Sequence, residues 1–148
     1  MRALLQRCAR AEVRVDGEVV GSCGRGLLVL LGVGHEDDDA TAANLARKVA
    51  ELRVFDDADG RTNLSLLDVG GDALVVSQFT LYADTRRGRR PGFTDAAPPA
   101  EAERLYGVFA DSLAALGPRV GRGWFGAEME VELVNAGPFT IWLDTADR

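Results

Sequence analysis

MRALLQRCARAEVRVDGEVVGSCGRGLLVLLGV, residues 1–33, is the stretch whose reading decides the fold. The run from Met1 to Val15 mixes alternating and β-branched residues and stops at Asp16-Gly17. Asp-Gly between two strand-like runs is a strong hairpin signal, because a tight type I′ turn needs positive φ at both central positions. Glu18 to Ser22 then returns as a second strand, and Gly24-Arg25-Gly26 turns the chain again. Leu27 to Val33 is apolar throughout, as expected of a strand bound for the core. The reading is a meander of three strands.

Beyond Val33 the period changes. Asp37-Asp38-Asp39 supplies an N-cap and first-turn acids, and Leu45, Val49 and Leu52 fall at helical spacing, which predicts an amphipathic helix over Ala40 to Leu52. Asp56 to Gly60 reads as a turn, Thr62 to Leu67 as a short strand, and Ala73 to Leu81 as a buried strand after the break at Gly70-Gly71. A second helix starts after Pro98-Pro99 and shows Ala102, Leu105, Phe109, Leu113 and Leu116 on one face. Gly117-Pro118 stops it. Glu128 to Val134 and Phe139 to Asp144 complete about seven strands and two main helices. The expectation is an α+β fold, one compact domain over residues 1–148, with mixed or antiparallel sheets around a barrel-like core.

The bulk composition sets the outer limits. The chain has 148 residues, 47% hydrophobic and 27% charged, as in an ordinary globular protein. Its longest apolar run, Gly26 to Val33, is far short of the ~20 residues a membrane-spanning helix needs. Three arginines interrupt the first ten residues, which therefore do not read as a secretory signal. Two cysteines, Cys8 and Cys23, lie in predicted strands and read as reduced thiols, with a disulfide between them the other option. The net charge of −6 argues against broad attraction to nucleic acid. Any RNA contact must then use a local basic patch, for which Arg86-Arg87-Gly88-Arg89-Arg90 is the candidate.

Several familiar constellations fail on context. Gly121-Arg122-Gly123-Trp124-Phe125-Gly126 matches G-x-G-x-x-G, but a helix precedes it and a strand follows, the reverse of a dinucleotide site. The glycines read instead as tight turns. His35, the single histidine, has no G-x-S-x-G elbow to serve. One histidine and two separated cysteines do not make a zinc site, and helix capping accounts for most of Glu36 to Asp39. No metal or cofactor is expected.

Two segments ask for more than structure. Ser77-Gln78-Phe79-Thr80-Leu81 ends the apolar run Ala73 to Val76. It is either a strand that becomes exposed or a set of hydroxyl, amide and backbone donors placed at a sheet margin. Asn135-Ala136-Gly137-Pro138-Phe139-Thr140 lies between two good strands and reads as a hairpin turn or as something more particular. The sequence does not choose between the cis and trans forms of Gly137-Pro138.

With these two segments in hand, the chain closely resembles the D-aminoacyl-tRNA deacylase family, in the branch also called D-tyrosyl-tRNA deacylase. The likeness begins with Met1 to Arg7 and Gly32-Val33, and continues through Ser77 to Leu81, Arg90-Pro91 with Phe93, and Leu105-Tyr106 with Phe109. It closes on Phe125-Gly126-Ala127, Met129, Val131 and Gly137-Pro138. Ala136 stands where many relatives carry aspartate, Phe139 where many carry valine, and Trp124 where a smaller residue is common.

The resemblance implies a cytoplasmic homodimeric hydrolase that cleaves the ester of D-aminoacyl-tRNA and, to some degree, glycyl-tRNA mischarged on tRNA-Ala. It implies a cis Gly137-Pro138 bond that reaches into the partner subunit's site, so that the working sites form at the dimer interface. There the backbone carbonyls would reject an L-side chain, with Asn135 and Ala136 in the same substrate-binding segment. Arg7 would hold that segment in position across the interface. Ser77, Gln78, Phe79 and Thr80 would position the ester and stabilise its oxyanion, the tRNA 2′-hydroxyl would assist, and Thr80 as nucleophile is the lesser option. Arg86, Arg87, Arg89 and Arg90 would touch the acceptor stem, while the pocket takes the 3′ end. The rival classes are a nucleic-acid-binding module without hydrolysis, some relatives having been linked to DNA unwinding, and a serine esterase, which the missing elbow disfavours.

Overall fold

In the computed structural model, which describes residues 1–147, Asp16 and Gly17 have φ of 50° and 81°. They join β1 (Arg2–Val15) to β2 (Glu18–Cys23) as the antiparallel hairpin that the Asp-Gly signal predicts. β3 (Gly26–Gly32) pairs antiparallel with the first half of β1, not with β2, so the expected meander is instead one long hairpin. β2 and β3 run in the same direction along one edge of β1, and Gly24-Arg25-Gly26 interrupts the arm without reversing it. β3 then accepts β6 (Asp72–Ser77) in parallel, and β6 accepts β7 (Val120–Arg122) in parallel. On its other edge β1 pairs along nearly its whole length with β8 (Glu130–Asp144). The sheet is mixed, and two helices, α1 (Asp39–Glu51) and α3 (Pro99–Ala115), complete the main α+β frame.

The apolar run of β3 follows from having both faces covered. Leu27, Val29 and Leu31 face the helices and pack with Leu45, Val49, Leu105, Phe109 and Leu113. Leu28 and Leu30 face the other way, into a second core with Val13, Cys8, Cys23, Leu74 and Val76. That second core fills the inside of a nearly closed barrel. The closure between β2 and β7 is a matter of fit: a Cβ at Gly21 would stand 2.3 Å from the Arg122 carbonyl oxygen, and one at Gly121 would stand 2.5 Å from the Ser22 oxygen. Among the described residues these two strands do not pair as a ladder. The thiols of Cys8 and Cys23 are free, 3.7 Å apart inside this core.

α1 is capped as the acidic run predicts. Asp38 is the N-cap and accepts the Thr41 N–H at 2.8 Å. Asp37 serves elsewhere, accepting the Gly34 N–H at 2.6 Å and the Met1 ammonium at 2.5 Å. α3 begins at Pro99 and buries Ala102, Leu105, Phe109 and Leu113, whereas Leu116 is the C-cap and is exposed.

Several expectations need correction. The strand expected over Ala73 to Leu81 stops at Ser77 and gives way to a 3₁₀ turn over Phe79–Tyr82. The strand expected over Thr62 to Leu67 ends at Ser65 as β5 (Thr62–Ser65), because the Ser65 hydroxyl and Asp68 carboxylate form a capping box that starts the one-turn α2 (Leu66–Val69). β5 pairs with β4 (Arg53–Asp56), whose last residue falls in the stretch expected as a turn. Gly121 is not a turn glycine: it lies within β7 where β2 crosses close by. The two strands predicted on either side of Gly137-Pro138 are one strand, β8, and the segment between them is not a hairpin. Among the described residues, no helix is long and apolar enough to cross a membrane.

Candidate active site

The 3₁₀ turn forms where β6 runs out of sheet. The Gln78 N–H still donates to Leu31 O at 2.8 Å, the last bond of that ladder. The chain then curls, with Leu81 N–H donating to Gln78 O at 3.2 Å and Ala83 N–H to Thr80 O at 3.0 Å. The first N–H groups of a helical turn have no acceptor within it. No side chain caps this one, and Phe79 and Thr80 at its start are exposed.

Beside the turn lies a cleft of about 640 Å³. Ser77, Gln78 and Phe79 form one rim, Leu31 and Val76 the floor, and Phe125, Ala127 and Met129 a further wall. The Phe79 ring meets Phe93 edge-on at 5.1 Å between centroids, which ties the turn to the loop leading into α3. The wall at Phe125 is held from β6: Val75 O accepts the Gly123 N–H at 3.1 Å and the Tyr106 hydroxyl at 2.7 Å. Burial pushes the Tyr106 phenol up to about 12, so it remains a donor. Thr80 Oγ1 accepts from the Gln78 side-chain amide, and an amide is no base with which to activate a hydroxyl.

The second segment is a bulge in β8. Gln6 pairs with Thr140 and Cys8 with Asn135, so Ala136 to Phe139 stand opposite Arg7 alone. Side chains replace the lost ladder bonds. Arg7 Nε donates to Ala136 O at 2.9 Å, and its Nη1 donates to Val54 O at 2.8 Å and lies 3.5 Å from Asp56. The Asn135 Oδ1 accepts the Phe139 N–H at 3.0 Å, and its Nδ2 donates to Thr140 Oγ1 at 3.2 Å. The Arg7 guanidinium lies 4.8 Å from the centre of the Phe139 ring, so the aromatic residue at this position gives it a face to stack on. Gly137 has φ of 129°, the Gly137-Pro138 bond is cis, and both residues are exposed. Arg7 makes these contacts within one chain.

Within this chain the two segments do not meet. Neither Gly137, Pro138 nor Arg7 lines the large cleft; Arg7 and Ala136 border a smaller one of about 330 Å³ with Arg25 and Phe55. The arginine loop is closed at its base by two backbone bonds between Asp84 and Gly92, of 2.7 and 2.9 Å. Arg86 spends its charge on Asp84 through two hydrogen bonds of 2.8 Å, which hold that carboxyl well below the usual carboxylate range. Arg87, Arg89 and Arg90 are exposed, with no ion-pair partner among the described residues.

Residues 4–144 match the family model described as D-Tyr-tRNA(Tyr) deacylase. The chain belongs to this family. A relative from Thermomicrobium roseum, named D-aminoacyl-tRNA deacylase, is 63% identical over 99% of this chain and 96% of its own. Among solved structures, a protein named c-Myc DNA Unwinding Element Binding Protein superposes with a TM-score of 0.92 at 40% identity, covering 98% of this chain and 99% of its own. A probable eukaryotic D-amino acid tRNA deacylase shares the fold, with a TM-score of 0.81 at 19% identity over 96% of this chain and 97% of its own.

The sequence of this deacylase-family chain singles out both segments, but as the end of a strand and a hairpin rather than a turn and a bulge, and it misses much of the cleft. His35, set aside as a triad member, lines it and bonds Thr94 O through Nε2 at 2.6 Å. Ala96 to Pro99 and Ala102 also line it, where the sequence shows only a helix start. Proximity of Phe93 to Phe79 is the one signal that would have gathered them, and it is tertiary.

Proposed function

We propose that the chain hydrolyses the ester linking a D-amino acid to the 3′-terminal ribose of tRNA, releasing the amino acid and the tRNA. The carrying observation is the largely apolar cleft of about 640 Å³ bordered by Ser77, Gln78 and Phe79, where the 3₁₀ turn starts without a side-chain cap. Membership of the deacylase family and the name of the 63% identical relative point the same way.

In this reading the terminal nucleotide enters the cleft and the ester carbonyl settles against the Phe79 and Thr80 N–H groups. Water adds to the carbonyl carbon, the N–H groups hold the resulting oxyanion, and collapse breaks the bond to the ribose oxygen. The adjacent 2′-hydroxyl assists and helps to protonate the departing oxygen. Donors aimed at a developing oxyanion contribute about 3 kcal/mol each in well-studied hydrolases. Ser77 and Gln78 position the turn, and Thr80 contributes its backbone, not its hydroxyl.

Selection by handedness comes from a second copy. The exposed Gly137-Pro138 bulge of one subunit enters the partner's cleft, making a homodimer with two interface sites. Its carbonyls stand beside the α-carbon, where a D-side chain points away and an L-side chain collides. A backbone wall suits an enzyme that accepts many side chains, since pocket contacts discriminate by only ~1–3 kcal/mol per methylene. Glycine has no side chain to reject, so glycyl-tRNA is cleaved to some degree. Arg87, Arg89 and Arg90 meet the acceptor stem, residues 1–148 act as one domain, and the enzyme works in the cytoplasm on charged tRNA without a metal or cofactor.

A second reading, nucleic-acid binding without hydrolysis, draws on the name of the 40% identical protein. A paired assay on D-tyrosyl-tRNA and L-tyrosyl-tRNA, with no added metal, separates the two. Release of the D-form alone is the expected result. Equal release of both would remove the bulge as a chiral wall, and release of neither would leave the binding role.

A further inference from the structure

Arg2 reaches the turn from behind. At the start of β1 it pairs with Gly32 on one side and with Asp144 of β8 on the other. Its Nε donates to Asp144 Oδ2 at 2.9 Å, and its Nη1 donates to Leu81 O at 2.9 Å. The guanidinium lies 4.4 Å from the centre of the Tyr82 ring and 5.6 Å from that of Trp142. Leu81 and Tyr82 close the same turn that Phe79 and Thr80 open. Arg2 itself does not line the cleft.

The turn also packs against two residues that have no side chain. A Cβ at Gly32 would meet Gln78 O at 3.1 Å and the Leu81 and Tyr82 side chains at 3.2 Å, and one at Gly34 would meet the Tyr82 hydroxyl at 2.8 Å. The turn is therefore seated on bare backbone and gripped from the far end. Such a grip matters because 3₁₀ bonds are poorly aligned and four residues cannot hold their own shape.

The geometry points to Arg2 as a positioning residue for the reaction: it fixes the 3₁₀ turn by its C-terminal end and ties that turn to β8, the strand carrying Gly137-Pro138. This assignment rests on the proposed use of the Phe79 and Thr80 N–H groups. It requires the arginine fork, since Nε and Nη1 bind two acceptors in fixed relation while a lysine ammonium is a single point of charge.

The test compares the wild type with Arg2→Gln and Arg2→Lys, reading kcat and KM on D-tyrosyl-tRNA and amide hydrogen exchange at residues 79–83. Both variants should lower kcat about tenfold, which is ~1.4 kcal/mol of transition-state stabilisation, and leave KM within about twofold. Exchange at the Leu81 and Ala83 amides, which close the turn, should quicken about tenfold. Wild-type kcat in Arg2→Gln, full rescue by lysine, an effect confined to KM, or unchanged exchange in the turn would each overturn the assignment. If Arg2→Gln does not fold, Asp144→Asn is read instead, which leaves Arg2 in place and should shift kcat and exchange in the same direction by less. A wild type that cleaves nothing defeats the deacylase reading alone, and the exchange measurement then decides whether Arg2 holds the turn.

Discussion

β6 and β8 both give up ladder bonds where they present backbone to solvent, and they make good the loss by different means. At the end of β6 the chain replaces sheet bonds with main-chain bonds of the 3₁₀ turn, and Gln78 N–H to Leu31 O anchors the start. In the middle of β8 the replacement comes from two side chains, Arg7 and Asn135, while pairing with β1 resumes on both sides. A turn built from main-chain bonds tolerates changes to most of its own side chains, and its side-chain brace, Arg2, lies outside it. A bulge built on side chains depends on two residues, one of them far away in sequence.

The largest effect should come from Arg7→Ala. Removing a mostly buried guanidinium leaves the carbonyls of Ala136 and Val54 without their donor, a loss of about 3 kcal/mol of stability. D-tyrosyl-tRNA deacylation should fall about 10²-fold, with the L-ester gaining relative to the D-ester. Urea unfolding and the paired assay measure both, and near-normal values would show that the bulge holds itself.

Next is Arg87→Glu combined with Arg89→Glu, which tests the loop that follows the turn. KM for tRNA should rise about tenfold at low salt, the salt slope should lessen by about one for each phosphate no longer neutralised, and kcat should stay the same. An unchanged slope would take the loop out of the tRNA interface.

Asn135→Ala should cost about 1 kcal/mol through the orphaned Phe139 N–H and lower activity about fivefold. Thermal unfolding of the single and the Arg7 double variant shows whether the two supports are coupled. Thr80→Ala should have the smallest effect, with activity within about threefold of the wild type and stability within ~0.5 kcal/mol, because the turn keeps its main-chain bonds. A loss of ~10⁴-fold would reinstate Thr80 as a nucleophile and end the contrast.

What the sequence made legible was whatever is decided locally. Asp16-Gly17 announces its turn because few residues accept positive φ twice in succession. Asp38 and Pro99 mark the helix starts to within a residue. The misreadings concern partners far along the chain. Gly137-Pro138 looks like a hairpin until β1, fourteen residues long, is seen to pair with β8 before and after it. β7 has three residues and no alternation, so only its place beside β6 makes it a strand. At the site, residues 77–81 and 135–140 stood out as segments, but not as a turn and a bulge. Arg2 and His35 did not stand out, because each acts through a contact to a residue more than fifty positions away.

The close approach of Gly21 to the Arg122 backbone, and of Gly121 to the Ser22 backbone, carries one more consequence. The nearest atoms in the way belong to the main chain, so an enlargement at either glycine has no compensating side-chain reduction on the other strand. Drift at either codon is blocked singly and in combination, whatever the neighbours do. Ser22 and Val120, one step away, have no such restriction from this crossing. Across descendants of this gene the seam should therefore show as two fixed points in a variable surround, with the barrel's circumference inherited as an absence of atoms.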